Sequence, residues 1–272
     1  MSAVQTIEAR DGESLALRHW PPAGPARASL LLIHGLGEHG GRYRRAALIL
    51  AASGLDTWAL DLRGFGASGG RRAYVERLEV WLDDLADRLA AVRQSGRPVV
   101  LLGHSTGGLV CARYAETDRP LPDLLVLSAP AVASTIPAWK QGLVRTLARL
   151  APTMTVKNEI DGSVLSRDPA VGVDYVADPL NVHSSTTRLG AVLLAAQRST
   201  LADLDRIHIP TLVIHGGDDH LVPTASSEVF AAVPGIERRV YPGLAHETFN
   251  EPEGPEVVAD VAAWIGQRLP PR

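Results

Sequence analysis

Ser105 lies in a segment that could place a reactive hydroxyl at a sharp turn. Residues 103–107 read Gly-His-Ser-Thr-Gly and fit the pattern G-x-S-x-G. Four branched apolar residues precede the pattern at 99–102, and residues 109–114 follow it without a helix breaker, which predicts a buried strand, a tight turn and a helix. Glycines beside the serine permit that turn and let the helix cross close to the strand. We therefore predict that Ser105 is a nucleophile, whereas in isolation the pattern also fits an ordinary glycine-rich turn.

A serine hydroxyl needs a base, and the base needs an orienting acid. His246 alone among nine histidines follows both Ser105 and a late acid on a loop after a predicted strand. Asp218 and Asp219 both follow the predicted strand 210–214, and either could be that acid. The order Ser, Asp, His is known for nucleophiles of this pattern. His246 would take the Ser105 proton, while the aspartate would fix the imidazole tautomer.

A second glycine-rich segment could stabilise an oxyanion. Residues 34–37 read His-Gly-Leu-Gly directly after the apolar run 29–33. In this position we expect the backbone N–H of Leu36 to be one oxyanion donor and that of Thr106, after the nucleophile, to be the other. A phosphate-binding loop is disfavoured because neither G-x-x-x-x-G-K-[ST] nor a G-x-G-x-x-G with a suitable acid is present.

Apolar runs and amphipathic stretches alternate along the chain, which predicts an α/β fold with a mostly parallel central sheet and helices on both faces. The predicted strands are residues 5–9, 14–20, 29–33, 55–60, 99–102, 123–128, 210–214 and 238–241. The predicted helices outside the central region are residues 43–53, 75–94, 109–114, 227–233 and 256–269.

The alternation of predicted strands and helices stops between residues 131 and 204, where we find helical patterns and no convincing strand. This pattern favours a helical cap inserted after the sixth strand, with residues 1–130 and 205–272 forming the core. One predicted helix of the cap has apolar residues at helical spacing, namely Ile136, Trp139, Leu143, Val144, Leu147 and Leu150. We expect this stripe to pack on the core, with a lipid-facing surface as the alternative.

Composition excludes several classes of protein. The net charge is −3 without a basic stripe, so no nucleic-acid binding is expected. The single cysteine, Cys111, excludes an internal disulfide and is expected to be a buried core residue. No apolar run has the length of a signal sequence or a membrane span, so a cytoplasmic protein is predicted, with peripheral membrane contact through the cap left open.

The remaining polar residues near the cleft are interpreted as structural. Asp61 and Arg63 lie in a glycine-rich loop and are expected to order it through local hydrogen bonds and ion pairing. Four histidines are expected to have structural or polar-network roles because no pair has metal-ligand spacing with a suitable carboxylate: His34, His39, His104 and His220. No metal and no organic cofactor are therefore expected.

Six segments carry a resemblance to a known family. They are residues 34–43 (HGLGEHGGRY), 61–69 (DLRGFGASG), 103–108 (GHSTGG), 128–132 (SAPAV), 166–169 (SRDP) and 241–252 (YPGLAHETFNEP). Together they resemble the monoacylglycerol lipases, especially the bacterial ones, over nearly the whole chain. This resemblance implies an α/β-hydrolase fold and a triad of Ser105, Asp219 and His246, and it makes the cap a lid over an acyl-chain tunnel.

The resemblance also implies a substrate. Glu38 and Arg42 match family residues near the pocket for the glycerol head. Thr106 stands where relatives usually carry Met, which makes the nearby pocket more polar. The expected reaction is hydrolysis of monoacylglycerols through an acyl-enzyme, with a small lipid ester as partner and a monomer or homodimer as the assembly. A broad carboxylesterase or a lysophospholipase is the alternative. A non-catalytic binding protein is disfavoured because it would not need all three triad residues.

Overall fold

An eight-stranded sheet forms the centre of the molecule. The computed structural model describes residues 4–158 and 160–270. The strand order is β1-β2-β4-β3-β5-β6-β9-β10, and every pairing is parallel except those that β2 makes with β1 and β4. This arrangement confirms the predicted mostly parallel sheet. The strands of this sheet are β1 (Val4–Glu8), β2 (Ser14–Trp20), β3 (Ala28–Ile33), β4 (Leu55–Leu60), β5 (Val99–His104), β6 (Leu124–Ser128), β9 (Thr211–Gly216) and β10 (Ile236–Tyr241).

The central strands are buried on both faces, which explains their nearly continuous apolar sequences. Alternate residues of β3 face opposite sides: Leu31 and Ile33 join one apolar cluster, and Leu30 and Leu32 join the other. The first cluster contains the apolar faces of α2 (Leu78–Arg93), α3 (Thr106–Ala115) and α6 (Thr187–Asp203). The second contains those of α1 (Arg44–Ala52) and α7 (Gly254–Arg268). The sheet is therefore held between two helical layers.

The chain between β6 and β9 forms α4 (Ala138–Leu150), β7 (Thr155–Lys157), α5 (Pro169–Ala177), β8 (Ser184–Thr186) and α6. The prediction that this region has no strand was wrong, because β7 and β8 pair antiparallel in a small second sheet. Each strand has only three residues and β7 is exposed, so neither produces an alternating pattern long enough to recognise. Among the described residues, no helix is long and apolar enough to cross a bilayer.

The apolar stripe of α4 does not pack on the core, so that prediction was also wrong. Trp139 is 69% exposed and Leu150 is 79% exposed, and Ala148 is the buried residue of this helix. Helix α4 contacts α6 instead, where the position of a Gly190 Cβ would lie 3.3 Å from Val144. Periodicity shows that a helix is amphipathic, but it does not reveal what covers the apolar face.

Most of the other predicted elements form within a few residues of their expected ends. The helix predicted at 227–233 is instead a 3-10 helix, Thr224–Ala232, which begins after Pro223. A 3-10 helix bonds residues three apart and an α-helix residues four apart, and apolar spacing over nine residues does not distinguish the two. The segment matters for the site because it packs beside the end of β9.

Candidate active site

Ser105 occupies the turn between β5 and α3 in a strained conformation. Its φ is 53° and its ψ is −117°, a region that residues other than glycine rarely adopt. Three backbone hydrogen bonds fix the turn: the Ser105 N–H donates to Ser128 O at 2.8 Å, and Ser105 O accepts from Leu109 and Ala131 at 3.0 Å each. The strain is therefore maintained by the sheet and by the start of the helix.

Glycine is required where α3 crosses the strands. A Cβ on Gly107 would overlap the backbone oxygens of Ile33 and His34, and one on Gly103 would overlap the Gly107 oxygen. These contacts bring the start of α3 against the end of β3. Thr106 is the first residue of α3, so its N–H is one of those that a helix N-terminus leaves without a partner in the helix.

Asp219, and not Asp218, lies beside His246. The distance from His246 Nδ1 to Asp219 Oδ2 is 2.7 Å, and both side chains are buried. The other carboxylate oxygen, Oδ1, accepts the backbone N–H groups of Leu221 at 2.9 Å and Val222 at 2.8 Å. Burial alone would raise the pKa of Asp219, but the hydrogen bonds from histidines outweigh it and lower that pKa well below its usual range. Asp218 is exposed and contributes its backbone N–H to Leu244 O.

Ser105 and His246 line one small cavity of about 30 Å³, together with Leu36, Glu38 and Arg42. The structure therefore brings these five predicted residues together, with Asp219 behind His246. A further histidine, His104, has its ring centroid 4.7 Å from that of His246. Burial, together with the neighbouring His246, lowers the pKa of His104 to about 3, so this ring is uncharged near neutral pH.

The loop that carries Leu36 is held by the side chains around it. His34 Nε2 accepts the Leu62 N–H at 2.8 Å, while Nδ1 lies 2.7 Å from the oxygen of Gly35 and donates to it. Glu38 accepts the Gly35 N–H at 2.6 Å. Burial lowers the pKa of His34, which fits its neutral state in this geometry. His34 and Glu38 therefore fix the backbone on each side of Leu36.

Glu38 and Arg42 form a buried ionic network with Glu247. Arg42 Nη1 lies 2.5 Å from Glu38 and 2.6 Å from Glu247, and the Tyr43 hydroxyl donates to Glu38 at 2.6 Å. Burial opposes ionisation of Glu38, but the Arg42 guanidinium outweighs this effect and lowers its pKa. Burial raises the pKa of Glu247 because the same guanidinium offsets that effect only in part. No sequence pattern indicates Glu247 beyond its position directly after His246.

Tyr175 is a cavity residue that sequence reasoning missed. It comes from α5, is buried, and lines the same cavity as Ser105. Its hydroxyl has no hydrogen-bond partner among the described residues, and burial raises its pKa to about 12. The Arg42 guanidinium lies 5.0 Å from the centroid of its ring. A buried hydroxyl without a partner is costly, so it is available to a polar group that enters the cavity.

A larger, more open cavity of about 600 Å³ adjoins the network, and Arg42 lines both cavities. Its other polar residues include His39 and Asp178, whose side chains lie 2.9 Å apart and connect the Leu36 loop to the end of α5. A backbone hydrogen bond from the Val182 N–H to Gly37 O, at 2.7 Å, also joins this loop to the segment that follows α5. The region between β6 and β9 therefore borders the site directly.

Asp61 and Arg63 lie outside the cavity at Ser105 and order their loop. Asp61 accepts from the Arg18 guanidinium at 2.5 Å and from the N–H groups of Gly40 and Ala67 at 2.8 and 2.9 Å. Arg63 donates to Asp84 at 2.8 Å. These contacts are the local hydrogen bonds and ion pairs expected from the sequence.

The sheet order, together with a serine turn that lines one cavity with the histidine of a buried Asp–His pair, defines an enzyme of the α/β-hydrolase class. The chain belongs to the serine aminopeptidase S33 family, whose model matches residues 24–253, and within it to the monoacylglycerol lipases. This assignment confirms the resemblance inferred from the sequence.

Individual relatives support the assignment over nearly the full length. A monoacylglycerol lipase of Mycolicibacterium smegmatis is 35% identical over 258 residues, which cover 92% of each chain. The human monoglyceride lipase is 30% identical over 273 residues, covering 95% of this chain and 88% of the human protein. The crystal structure of a Paleococcus ferrophilus monoacylglycerol lipase superposes with a TM-score of 0.85 at 29% identity, covering 93% of this chain and 99% of the other.

Proposed function

We propose that this enzyme hydrolyses the ester bond of monoacylglycerols, releasing glycerol and a free fatty acid through an acyl-enzyme. The observation that carries the proposal is the Asp219–His246 pair, 2.7 Å apart, with His246 lining the same cavity as Ser105 at its strained turn. Similarity to monoacylglycerol lipases over 92% of the chain supports this substrate class.

In the proposed mechanism, Ser105 Oγ attacks the ester carbonyl carbon while His246 Nε2 takes the hydroxyl proton. The N–H groups of Leu36 and Thr106 bind the oxyanion of the tetrahedral intermediate. The intermediate collapses as His246 returns the proton to the leaving glycerol oxygen. A water molecule then attacks the acyl-enzyme with His246 as base, and the fatty acid leaves as Ser105 recovers its proton. Asp219 remains ionised throughout, consistent with its lowered pKa.

We propose that the glycerol head lies beside Arg42 and Tyr175. Arg42 and Glu38 bind each other and neighbouring protein groups, so they shape the polar wall of the cavity. The Tyr175 hydroxyl has no partner among the described residues and can exchange a hydrogen bond with a glycerol hydroxyl. A head group without hydroxyls would leave this buried group unpaired.

The same proposal treats residues 131–204 as a cap whose outer helix meets the lipid phase. The apolar face of α4 includes Trp139, Leu143 and Leu150, all exposed. The helix also carries Lys140, Arg145 and Arg149 and no acidic residue. A basic amphipathic helix with an exposed tryptophan is suited to lie at the surface of a membrane that contains anionic lipids.

Vesicle binding tests the role of α4. Co-sedimentation with vesicles of phosphatidylcholine and phosphatidylglycerol should fall at least fivefold in W139E/L143E, because two charges enter the face that would insert. The matched control is Leu48→Glu, which changes an exposed leucine of α1. Equal binding of the double variant and the wild type would contradict the role of α4.

Substrate choice tests the proposed function. Rates on a monoacylglycerol chain-length series would be compared with those on matched diacylglycerols, triacylglycerols and lysophospholipids. We expect a clear preference for monoacylglycerols, because the cavity beside Ser105 is small and polar on the Arg42 side. Indifference to the head group would instead indicate a general carboxylesterase, and preference for the phosphorylated head a lysophospholipase.

Replacing the nucleophile tests the covalent mechanism. Ser105→Ala should lower kcat for ester hydrolysis by roughly 10³-fold or more, because the covalent step is lost while the rest of the cavity remains. Wild-type enzyme should also be labelled at Ser105 by a fluorophosphonate, and the variant should not. Activity within about tenfold of wild type in Ser105→Ala would show that the covalent scheme is wrong.

A further inference from the structure

A second buried histidine contacts the acid of the proposed triad. His215, in β9, has its Nε2 atom 3.1 Å from Asp219 Oδ2, the oxygen that also lies 2.7 Å from His246 Nδ1. The side chains of His215 and Asp219 are fully buried. The mechanism proposed above gives His215 no role, and no local sequence pattern distinguished it from the other histidines.

The surroundings of His215 determine where its proton lies. Nε2 is also 2.9 Å from the backbone oxygen of Val222. A carbonyl oxygen and an ionised carboxylate can only accept hydrogen bonds, so Nε2 must carry the hydrogen. It donates between Val222 O and Asp219 Oδ2. The same hydrogen therefore connects β9 to the turn that presents Asp219.

The opposite side of the ring contacts Ser227, which Arg238 holds in place. His215 Nδ1 lies 2.9 Å from the Ser227 hydroxyl, which itself accepts from Arg238 Nε at 2.9 Å. Arg238 also donates to Thr224 O at 2.9 Å, so its cation is fixed just beyond Ser227. Ser227 Oγ in turn donates to Thr224 O at 3.0 Å, so the Nδ1 side of the ring is held by residues of the 3-10 helix 224–232 and of β10.

The Asp219 carboxylate is consequently surrounded by donors. Two backbone N–H groups of its own turn hold Oδ1, and the two imidazoles share Oδ2. Without His215, the Oδ2 atom would keep His246 as its hydrogen-bond partner and lose the contact that ties it to β9. The negative charge of the carboxylate would then act more strongly on His246, and the carboxylate would be less firmly oriented.

We propose that His215 is a positioning residue for the reaction: its Nε2–H donates to Asp219, orients that carboxylate and reduces the negative charge that acts on His246. Through Asp219 it sets the basicity of His246 without touching substrate. This inference rests on the proposed function, because it assigns His246 as the base. Other titratable groups near His246, namely His104, Glu38, Arg42 and Glu247, belong to other segments and are unchanged by a substitution at 215.

The test compares His215→Phe with His215→Gln. Phenylalanine keeps a ring without a donor, and glutamine can place an amide N–H near the position of Nε2. For hydrolysis of monobutyrin, we expect His215→Phe to lower kcat at least tenfold with KM within about twofold. The acidic limb of its kcat/KM profile should move upward by half a pH unit or more, because His246 faces a more concentrated negative charge. His215→Gln should return both quantities to near wild type.

A matched control comes from another histidine–carboxylate pair. His19 in β2 lies 2.6 Å from Asp56 in β4, away from the cavity, and His19→Phe should leave the pH profile unchanged. An unmoved profile in folded His215→Phe, or no recovery in His215→Gln, would overturn the proposal and leave His215 a structural residue.

Spectroscopy of the wild-type enzyme keeps the test decisive if His215→Phe does not fold. In ¹⁵N-histidine spectra at pH 7.5 we expect the Nε2 atom of His215 to carry a hydrogen. A His215 ring whose Nε2 atom carries no hydrogen would overturn the inference. Failure of the proposed function is detected separately, because it would appear as retained activity in Ser105→Ala whatever the state of His215.

Discussion

Asp219 differs from its neighbour Asp218 in its contacts rather than in its chemistry. Both carboxylates follow β9, but only Asp219 points inward, where it meets two imidazoles and two backbone donors. These four donors keep it ionised in a buried place, which is the state that an orienting acid needs.

The two aspartates give a direct comparison. Asp219→Asn should lower kcat for ester hydrolysis by roughly 10³–10⁴-fold, because a neutral amide neither fixes the His246 tautomer nor stabilises the imidazolium. Asp218→Asn is the matched control and should stay within about threefold of wild type, because its side chain is exposed. Steady-state kinetics on one monoacylglycerol measure both, and a larger loss at position 218 would reverse the assignment.

Among individual site residues, the sequence predicts those that lie in motifs and misses those that reach the site from other segments of the chain. The serine turn, the late acid and the following histidine are local patterns, so their positions could be inferred. The choice between Asp218 and Asp219 depends on which side chain the turn directs inward. Glu247, Tyr175 and His215 enter through tertiary contacts, for which single residues give no spacing signal.

The crossing of β3 and α3 positions the site through backbone contact. Gly107 has no room for a methyl group, because the oxygens of Ile33 and His34 occupy its position. The end of β3 and the start of α3 therefore have a fixed separation. The two candidate oxyanion donors, Leu36 and Thr106, lie one on each side of this contact.

A pair of glycine substitutions tests that separation. Gly107→Ala should lower the free energy of unfolding by about 1–3 kcal/mol or more, since backbone atoms must move to admit the methyl group. The kcat for ester hydrolysis should also fall, because the N–H groups of Leu36 and Thr106 move apart. Gly142→Ala is the control. Gly142 lies in α4, and among the described residues no atom beyond its chain neighbours and the backbone of its own helix lies within 4 Å of its Cβ position. This change should raise the free energy of unfolding by about 0.5–1 kcal/mol. Urea unfolding of the two variants measures these free energies, and an unchanged free energy of unfolding in Gly107→Ala would contradict the close crossing.

Elements with long apolar patterns could be predicted, and elements without them could not. The central strands β3, β5, β6 and β9 are buried throughout, so their sequences indicate them directly. Strands β7 and β8 have three residues each and owe their pairing to the surrounding fold. The helical pattern of α4 was recognisable, but its exposure depends on neighbours that the pattern does not contain.

For the whole molecule, a buried acid connects stability to pH. Glu116, at the end of α3, is 1% exposed and lies 2.8 Å from Arg113, which also binds Asp203 of α6. Burial raises the pKa of Glu116 to about 7, since Arg113 offsets that effect only in part. Between its ordinary value of 4.5 and about 7, the folded protein holds a proton that the unfolded chain has released. The free energy of unfolding therefore falls as pH rises through this window.

Thermal unfolding of Glu116→Gln measures this contribution. The Tm difference between the variant and the wild type should be small at pH 5 and should grow in favour of the variant by roughly 2–5 °C at pH 8, because glutamine carries no charge to bury. Using the difference removes the contributions of other titrating groups. A difference that does not change with pH would show that Glu116 does not titrate in this window.

The single cysteine of the chain gives the core a built-in reporter. Cys111 is completely buried in α3, and burial raises its thiol pKa well above the ordinary value. A thiol reagent can reach it only when α3 separates from the sheet. The rate of thiol modification in native buffer therefore counts openings of the core, and it can rank variants by the free energy of opening without any denaturant.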